Sequence, residues 1–217
     1  MAESYKIGTT DVTTYLTHLQ TIDGNIGVPP LRQADYTVPG RTGAIAATPW
    51  WGPRVVTFGG VIAGTTRAAM QANLKSLASL VLNGGDTFTM SRTLDTTGTP
   101  TTVTHTATAR YLGGLESSEQ LSNRVARVAF DVMLMDGYWY EGAYTSGTAL
   151  AGTSVVNVVG DAPTQDVNLT YSIGAGSQRI TNQAYPGLSR LTLKPGNNTL
   201  VVTGGGTVTL SYKAAWL

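Results

Sequence analysis

Between Tyr36 and Ile62 the chain reads YTVPGRTGAIAATPWWGPRVVTFGGVI, a stretch that leaves little room for a helix. Two turn clusters, Val38-Pro39-Gly40-Arg41-Thr42-Gly43 and Thr48-Pro49-Trp50-Trp51-Gly52-Pro53, bracket a short apolar segment. Proline locks φ and withholds an N–H, while glycine admits backbone that other residues avoid, so each cluster interrupts regular structure. From Arg54 the residues turn β-branched and apolar, which reads as a strand. Nothing in the stretch looks like a reaction centre. It reads as a rigid, glycine-hinged surface feeding a strand, the way an assembly part is built.

Polarity comes from an unusual source. Only 12% of the 217 residues are charged, against about 25% in an average soluble protein. Thr, Ser and 26 glycines carry the polarity instead. That mix suits neutral strands joined by glycine turns, and large surfaces buried against partners. The length allows one large β domain or two small ones, with a core that needs no staples. A net charge of +1 supplies no basic footprint for sequence-specific nucleic-acid binding. Without cysteine, disulfides, thiolate catalysis and sulfur-ligated zinc or iron–sulfur sites are excluded together. The opening MAESYKIGTT lacks the charged and apolar regions of a signal peptide. No stretch approaches the roughly 20 apolar residues that span a bilayer. The expectation is a protein made in the cytoplasm, with no membrane partner, soluble until it assembles.

Along the chain, Tyr5 to Ile22 reads as one or two strands, Asp23 to Gly27 as a turn, and Pro29-Pro30 as extended backbone. Gly59-Gly60, inside the Arg54–Ala63 strand, marks a bulge or a close backbone approach. One helix is expected, from Arg67 to Leu82, with Thr65 or Thr66 as N-cap and Met70, Leu74, Leu77 and Val81 on its apolar face. Asn83-Gly84-Gly85 supplies its stop. Arg67, Gln71 and Lys75 mark the other face, so the helix should lie on a sheet. Thr87 to Arg92 and Thr102 to Leu112 read as strands. In the second, Val103, His105, Ala107, Ala109 and Tyr111 alternate with Thr102, Thr104, Thr106, Thr108 and Arg110. Asn123 to Met135 is a long strand with Ala126, Val128, Phe130, Val132 and Leu134 inward. Past a break at Asp136 to Gly142 only short strands follow: Val155–Val159, Val167–Ile173, Arg179–Asn182, Ser189–Leu193, Thr199–Thr203 and Thr207–Tyr212. Lys194-Pro195-Gly196-Asn197-Asn198 and Gly204-Gly205-Gly206 read as turns between them. Frequent turns and even spacing imply a small β-sandwich. The chain is therefore mainly β, an α+β first part over 1–140 with one helix on a sheet, then an all-β part over 141–217.

Reactive chemistry finds few carriers. The two histidines are His18 and His105, and His105 reads as a hydrogen-bonded side chain on a sheet face. No G-x-S-x-G elbow accompanies them. The carboxylates Asp86, Asp95, Glu116, Glu119, Asp131, Asp136 and Glu141 are scattered and expected mostly in turns. Asp23, Asp161 and Asp166 lack calcium-loop spacing. Gly40-Arg41-Thr42-Gly43 lacks the Lys-Ser/Thr ending of a phosphate loop. No metal or cofactor is expected, and no enzymatic activity. The aromatics Trp50-Trp51 and Tyr138-Trp139-Tyr140 have two readings: exposed platforms that stack on sugar rings, or packing at a core, boundary or subunit interface.

The order Pro39-Gly40-Arg41-Thr42-Gly43, Trp51-Gly52-Pro53-Arg54, strand, helix, hairpin and long strand resembles the belt domain of the siphophage distal tail protein family. Leu193 to Leu200, then Val208 to Lys213 and Trp216, resemble its closing galectin-like sandwich. The resemblance implies a structural virion protein of the phage tail tip. Six belt domains would form a ring, a homo-hexamer whose channel passes DNA without reading it, and the sandwiches would project as attachment points. Implied partners are the tail tube protein, the tail hub or tail-associated lysin, the tape measure protein and receptor-binding components. Candidate ring-interface residues are Gly40, Arg41, Gly43, Trp50, Trp51, Gly52 and Arg54, the glycines as turn formers. Arg54 has two readings, a partner on a neighbouring subunit or an ordinary one on its own chain. The alternative is a carbohydrate-binding module of a tail tip or cell-surface apparatus, working through Trp50, Trp51 or the Tyr138–Tyr140 aromatics. Against a galectin-type sugar site, the chain beyond Tyr144 has no His and no Glu, only Arg179 and Arg190 as guanidinium groups, and Trp216 as its sole Trp.

Overall fold

The computed structural model describes residues 3–25, 27–32, 35–37, 44–46, 50–82, 86–95, 102–171, 179–183 and 190–217. The chain divides into two compact units, Met1–Tyr138 and Trp139–Leu217.

The first unit opens with β1 (Glu3–Ile7), β2 (Thr10–Asp11), a 3-10 turn at Val12–Thr14, and β3 (His18–Asp23). Short strands β4 (Leu31–Arg32), β5 (Asp35–Thr37), β6 (Ala44–Ala46) and β7 (Trp50–Trp51) precede β8 (Arg54–Ala63) and helix α1 (Arg67–Leu82). The unit continues through β9 (Phe88–Asp95), β10 (Thr102–Ser122) and β11 (Val125–Leu134). Seven of these strands form one antiparallel sheet, in the order β2-β1-β9-β10-β11-β8-β3. Period-two alternation decides its faces. Val56, Phe58 and Ile62 of β8 and Ala126, Val128, Phe130, Val132 and Leu134 of β11 are all buried. Phe58 and Phe130 are direct cross-strand partners with rings stacked 5.2 Å apart, and Tyr5 meets Phe58 edge-on at 5.4 Å.

The helix lies on this sheet against β8, β10 and β11. Met70, Leu77 and Val81 are buried there, each side chain contributing ~1.5–3 kcal/mol, while Arg67, Gln71 and Lys75 are exposed. Thr66 is the N-cap: its hydroxyl accepts from Ala69 N at 3.1 Å, satisfying one of the first-turn donors that has no helical partner. The expected stop at 83–85 lies outside the described residues. Gly60 serves a close approach, since a Cβ there would stand 2.7 Å from His18 O. The bulge falls in the neighbouring β3, between Leu19 and Thr21.

One strand differs from its expected length. The Gly113-Gly114 pair ends the sequence pattern at Leu112, yet β10 runs on to Ser122. Thr102–Ala109 pairs with β9, and Ala109–Ser122 pairs with β11 through four register shifts, the first between Tyr111 and Gly113. The Tyr111 hydroxyl accepts from Leu115 N at 3.1 Å, across the irregularity. Glycine here bulges a strand and does not terminate it. The extension places Glu116 and Glu119 in a strand, and Asp95, Asp131 and Glu141 lie in β9, β11 and the strand Trp139–Glu141, where turns are mostly expected.

The second unit contains β12 (Trp139–Glu141), β13 (Thr148–Leu150), β14 (Thr153–Val158), β15 (Val167–Tyr171), β16 (Arg179–Asn182), β17 (Gly196–Thr203), β18 (Val208–Tyr212) and β19 (Ala215–Trp216). Two three-stranded antiparallel sheets form, β13-β18-β15 and β14-β17-β16, and β12 pairs with β19. Leu150, Val208, Leu210 and Tyr212 from one sheet and Val156, Val158, Leu200 and Val202 from the other share one buried core. That is sandwich packing. The Leu193 region makes an isolated bridge to Thr164 where a strand is expected. Asn197 and Asn198, expected in a turn, belong to β17. Asn198 is fully buried and closes the preceding turn from inside. Its Oδ1 accepts from Lys194 N (2.9 Å) and Asn182 Nδ2 (2.9 Å), while its Nδ2 donates to the carbonyls of Lys194 (2.8 Å) and Gly196 (2.9 Å).

Candidate functional site

The candidate surface is built by the segment between β3 and β8. Leu31 pairs with Trp51 and Arg32 with Trp50, and inside that frame Asp35–Thr37 pairs with Ala44–Ala46. The short apolar segment between the two turn clusters is thus strand β6. Gly40, Arg41 and Gly43 lie outside the described residues, and Trp50 is described only as part of β7.

The remaining candidates divide into one contact and two shapers. Trp51 is partly exposed and meets Tyr138 edge-on at 6.3 Å. Beside it in the ladder, Leu31 is exposed, as is Val28. Leu31 belongs to that surface through its pairing with Trp51, and neither residue stands out in sequence, where isolated Val and Leu carry no signal. Gly52 is buried, and its N–H donates to Pro30 O at 2.7 Å. Gly137, at φ +74°, faces it: a Cβ there would stand 2.6 Å from Gly52 O and 2.9 Å from Pro29 Cβ. Only glycine fits that approach. Arg54 is buried, and its Nη1 donates to Gly27 O at 2.6 Å, holding the start of the segment to β8. Its described partner is on its own chain.

The other aromatic cluster is not a platform. Tyr138 and Trp139 are buried, Trp139 completely, and only Tyr140 is half-buried. Of the two histidines, His18 is exposed on β3 and His105 is engaged inside the sheet. Tyr5, Arg92 and His105 sit in register across β1, β9 and β10, all buried. Arg92 Nε donates to His105 Nδ1 at 3.3 Å. Asn25 Nδ2 donates to the Tyr5 hydroxyl at 2.6 Å, and that hydroxyl donates to the Glu3 carboxylate. Burial first, and then the bond to Glu3, push the Tyr5 phenol far above its ordinary range. It stays neutral. Asp131 accepts from Thr57 Oγ1 at 2.7 Å across the β8–β11 ladder. An open cleft of about 470 Å³ between the β1–β2 turn and α1 is lined by hydroxyls and apolar groups, among them Thr10, Tyr15, Ser76, Leu80 and Phe88. These arrangements position strands and bury surface.

The architecture has a match among solved structures. The crystal structure of SPP1 Dit, described as a paradigm of the hub adsorption apparatus in phages infecting Gram-positive bacteria, aligns over 100% of both chains with a TM-score of 0.69 and 14% identity. The chain has the fold of a phage Dit protein. The resemblance read from turn order therefore holds at the level of fold, from the helix-covered sheet through the sandwich. Two structures of the phage P2 baseplate in its activated conformation, with Ca and with Sr, align at TM-scores of 0.48 and 0.49. Their identities are 10% and 11%, over 99% and 98% of this chain and 98% of each of theirs. No protein-family profile and no curated protein matches the chain by sequence.

Proposed function

We propose that this protein is a structural, non-enzymatic part of a phage tail tip, a distal tail protein. The observation that carries the reading is the Dit fold matched along the whole of both chains; a shared single domain would have carried far less, because folds are reused across functions. In this reading the unit 1–138 is the belt domain, and six copies close a ring whose channel is continuous with the tail tube and passes DNA. The unit 139–217 projects as an attachment point. Its partners are the tail tube protein, the tail hub or tail-associated lysin, the tape measure protein and receptor-binding components. It is made in the host cytoplasm and resides in the virion.

Ring contact falls to the segment carrying Gly40, Arg41, Gly43, Trp50, Trp51, Gly52 and Arg54. Trp51, with Leu31 beside it, supplies apolar contact surface. Gly52 and Arg54 act from inside by fixing its shape. An exposed apolar group rimmed by polar residues marks such sites. Negative-stain microscopy with light-scattering mass tests the reading. Closed rings with a central hole, at a multiple of about six times the 22.7 kDa subunit, are expected. Trp51→Ala should lower ring yield. A particle that stays monomeric at high concentration and in the presence of tail tube protein would count against it.

A further inference from the structure

We infer that β14 is a self-pairing edge, through which two copies of this chain join, strand against antiparallel strand, about a two-fold axis at Val155. β14 is the outer strand of its sheet. Val202 N donates to Gly152 O at 2.8 Å, and this sets the phase of the ladder. Ser154, Val156 and Val158 then turn their backbone groups toward β17, opposite Leu200, Asn198 and Gly196. Thr153, Val155 and Asn157 turn theirs outward. The Tyr212 hydroxyl agrees with that phase, donating to Asn157 O (3.2 Å) and accepting from Val159 N (3.4 Å) at the far end of the strand. Among the described residues, the outward N–H and C=O groups of Thr153 and Val155 and the N–H of Asn157 meet no strand.

Open edges are templates for pairing, and proteins normally blunt them with charge, proline, bulges or shortness. The other edges here follow that practice. β2 has two residues, β13 has three, and β3 is bulged. β15 starts beside the Asp166–Lys213 ion pair (3.6 Å), and β16 opens on Arg179. By contrast the run Thr153–Val159, TSVVNVV, has no charge, proline or glycine, and Val155 and Val159 are 65% and 60% exposed.

A second copy fits this edge by its own symmetry. In a two-fold contact residue i meets j while j meets i. Centred on Val155, the pairing sets Val155 against its equivalent and Thr153 against Asn157, twice. The Val155 pair exchanges two main-chain bonds and each Thr153–Asn157 pair adds one, from Asn157 N to Thr153 O, the Asn157 carbonyl being held by Tyr212, so about four form. The side chains meet as an apolar pair and two hydroxyl–amide pairs, with no like charges opposed. Both edges are consumed, so the association closes at two and does not extend as a fibre.

The contact does not depend on ring formation, because a single chain carries the whole edge. Light-scattering mass of the full chain and of Val155→Lys tests it. Val155 points outward, and the two-fold places two lysines in contact, so the variant should have half the wild-type mass; Val155→Thr should keep the doubled mass. Amide exchange at Val155 and Asn157 should be slow in wild type and fast in Val155→Lys. Exchange at Ser154 and Val156, bonded to β17, should stay slow in both and report an intact fold. Equal masses for wild type and Val155→Lys would overturn the inference. So would protection of the Val155 amide only after another protein is added, which would assign the edge to a different chain.

Discussion

The two units bury their interiors in different ways. In the first, one sheet presents a single apolar face, and large rings fill it: Phe58 on Phe130, with Tyr5 against Phe58. In the second, two small sheets face each other, and the interior is Leu and Val with a fully buried Asn198 at its margin. A sheet under one helix depends on volume, because a single layer of side chains must reach the cover. A sandwich of three-residue to eight-residue strands depends on its turns, because each strand is too short to hold its own register. The first core is aromatic. The second is pinned by amide hydrogen bonds.

Removing one support from each unit tests this difference between the cores most strongly. Phe130→Ala should cost the first unit about 3–5 kcal/mol, read as faster amide exchange along β8 and β11 with β14 and β17 unchanged. Asn198→Ala should cost about 1–3 kcal/mol, because it removes the acceptor of Lys194 N and one of the two acceptors of Asn182 Nδ2, Thr192 O remaining. Its exchange signature should be the reverse, confined to β16, β17 and the turn before them. If either variant loosened both units alike, the difference between the cores would be illusory. Thr66→Ala removes the α1 cap and should lower stability by about 1 kcal/mol in denaturant titration, with Thr66→Ser restoring it. The smallest effect belongs to the exposed cluster of Tyr144, Asp166 and Lys213. The hydrogen bond from Tyr144 to Asp166 raises the phenol above its ordinary 10.0, burial and charge adding less. An acid whose folded value is raised contributes fully below pH 10.0, and that contribution is lost as the pH climbs through the folded value. Asp166→Asn should bring the Tyr144 absorbance titration back toward 10.0 and change stability by under about 1 kcal/mol at neutral pH.

Much of this fold is legible in the sequence. The limits of β8 and α1, a threonine cap at 65 or 66 and the inward set of β11 all follow from periodicity and capping, which are local. Legibility failed where tertiary partners reassign a residue. Gly113-Gly114 reads as an end because glycine usually punctuates, but pairing with β11 carries the strand on beyond the point where β9 stops at Ala109. Asn198 reads as a turn residue because asparagine favours turns; its burial depends on Asn182, sixteen positions away. At the candidate surface, Trp51, Gly52 and Arg54 could be named from the turn cluster. Leu31 and Gly137 could not, since one matters through its ladder partner and the other through a carbonyl eighty-five residues earlier.

The long β10 also sets an order of events during folding. Its distal half meets β11 across only Asn123 and Arg124, whereas β1 must be brought to β9 from Glu3 to Leu94. Loop closure costs more as the intervening chain lengthens, and non-local pairings come late. The β10–β11 hairpin should therefore be the nucleus on which the sheet grows, with β8 docking next and β1 last. Conservative substitutions at Val128 should slow folding, and those at Ile7 should chiefly speed unfolding. A strand that changes partners half-way along is, in kinetic terms, the hinge between an early half and a late one.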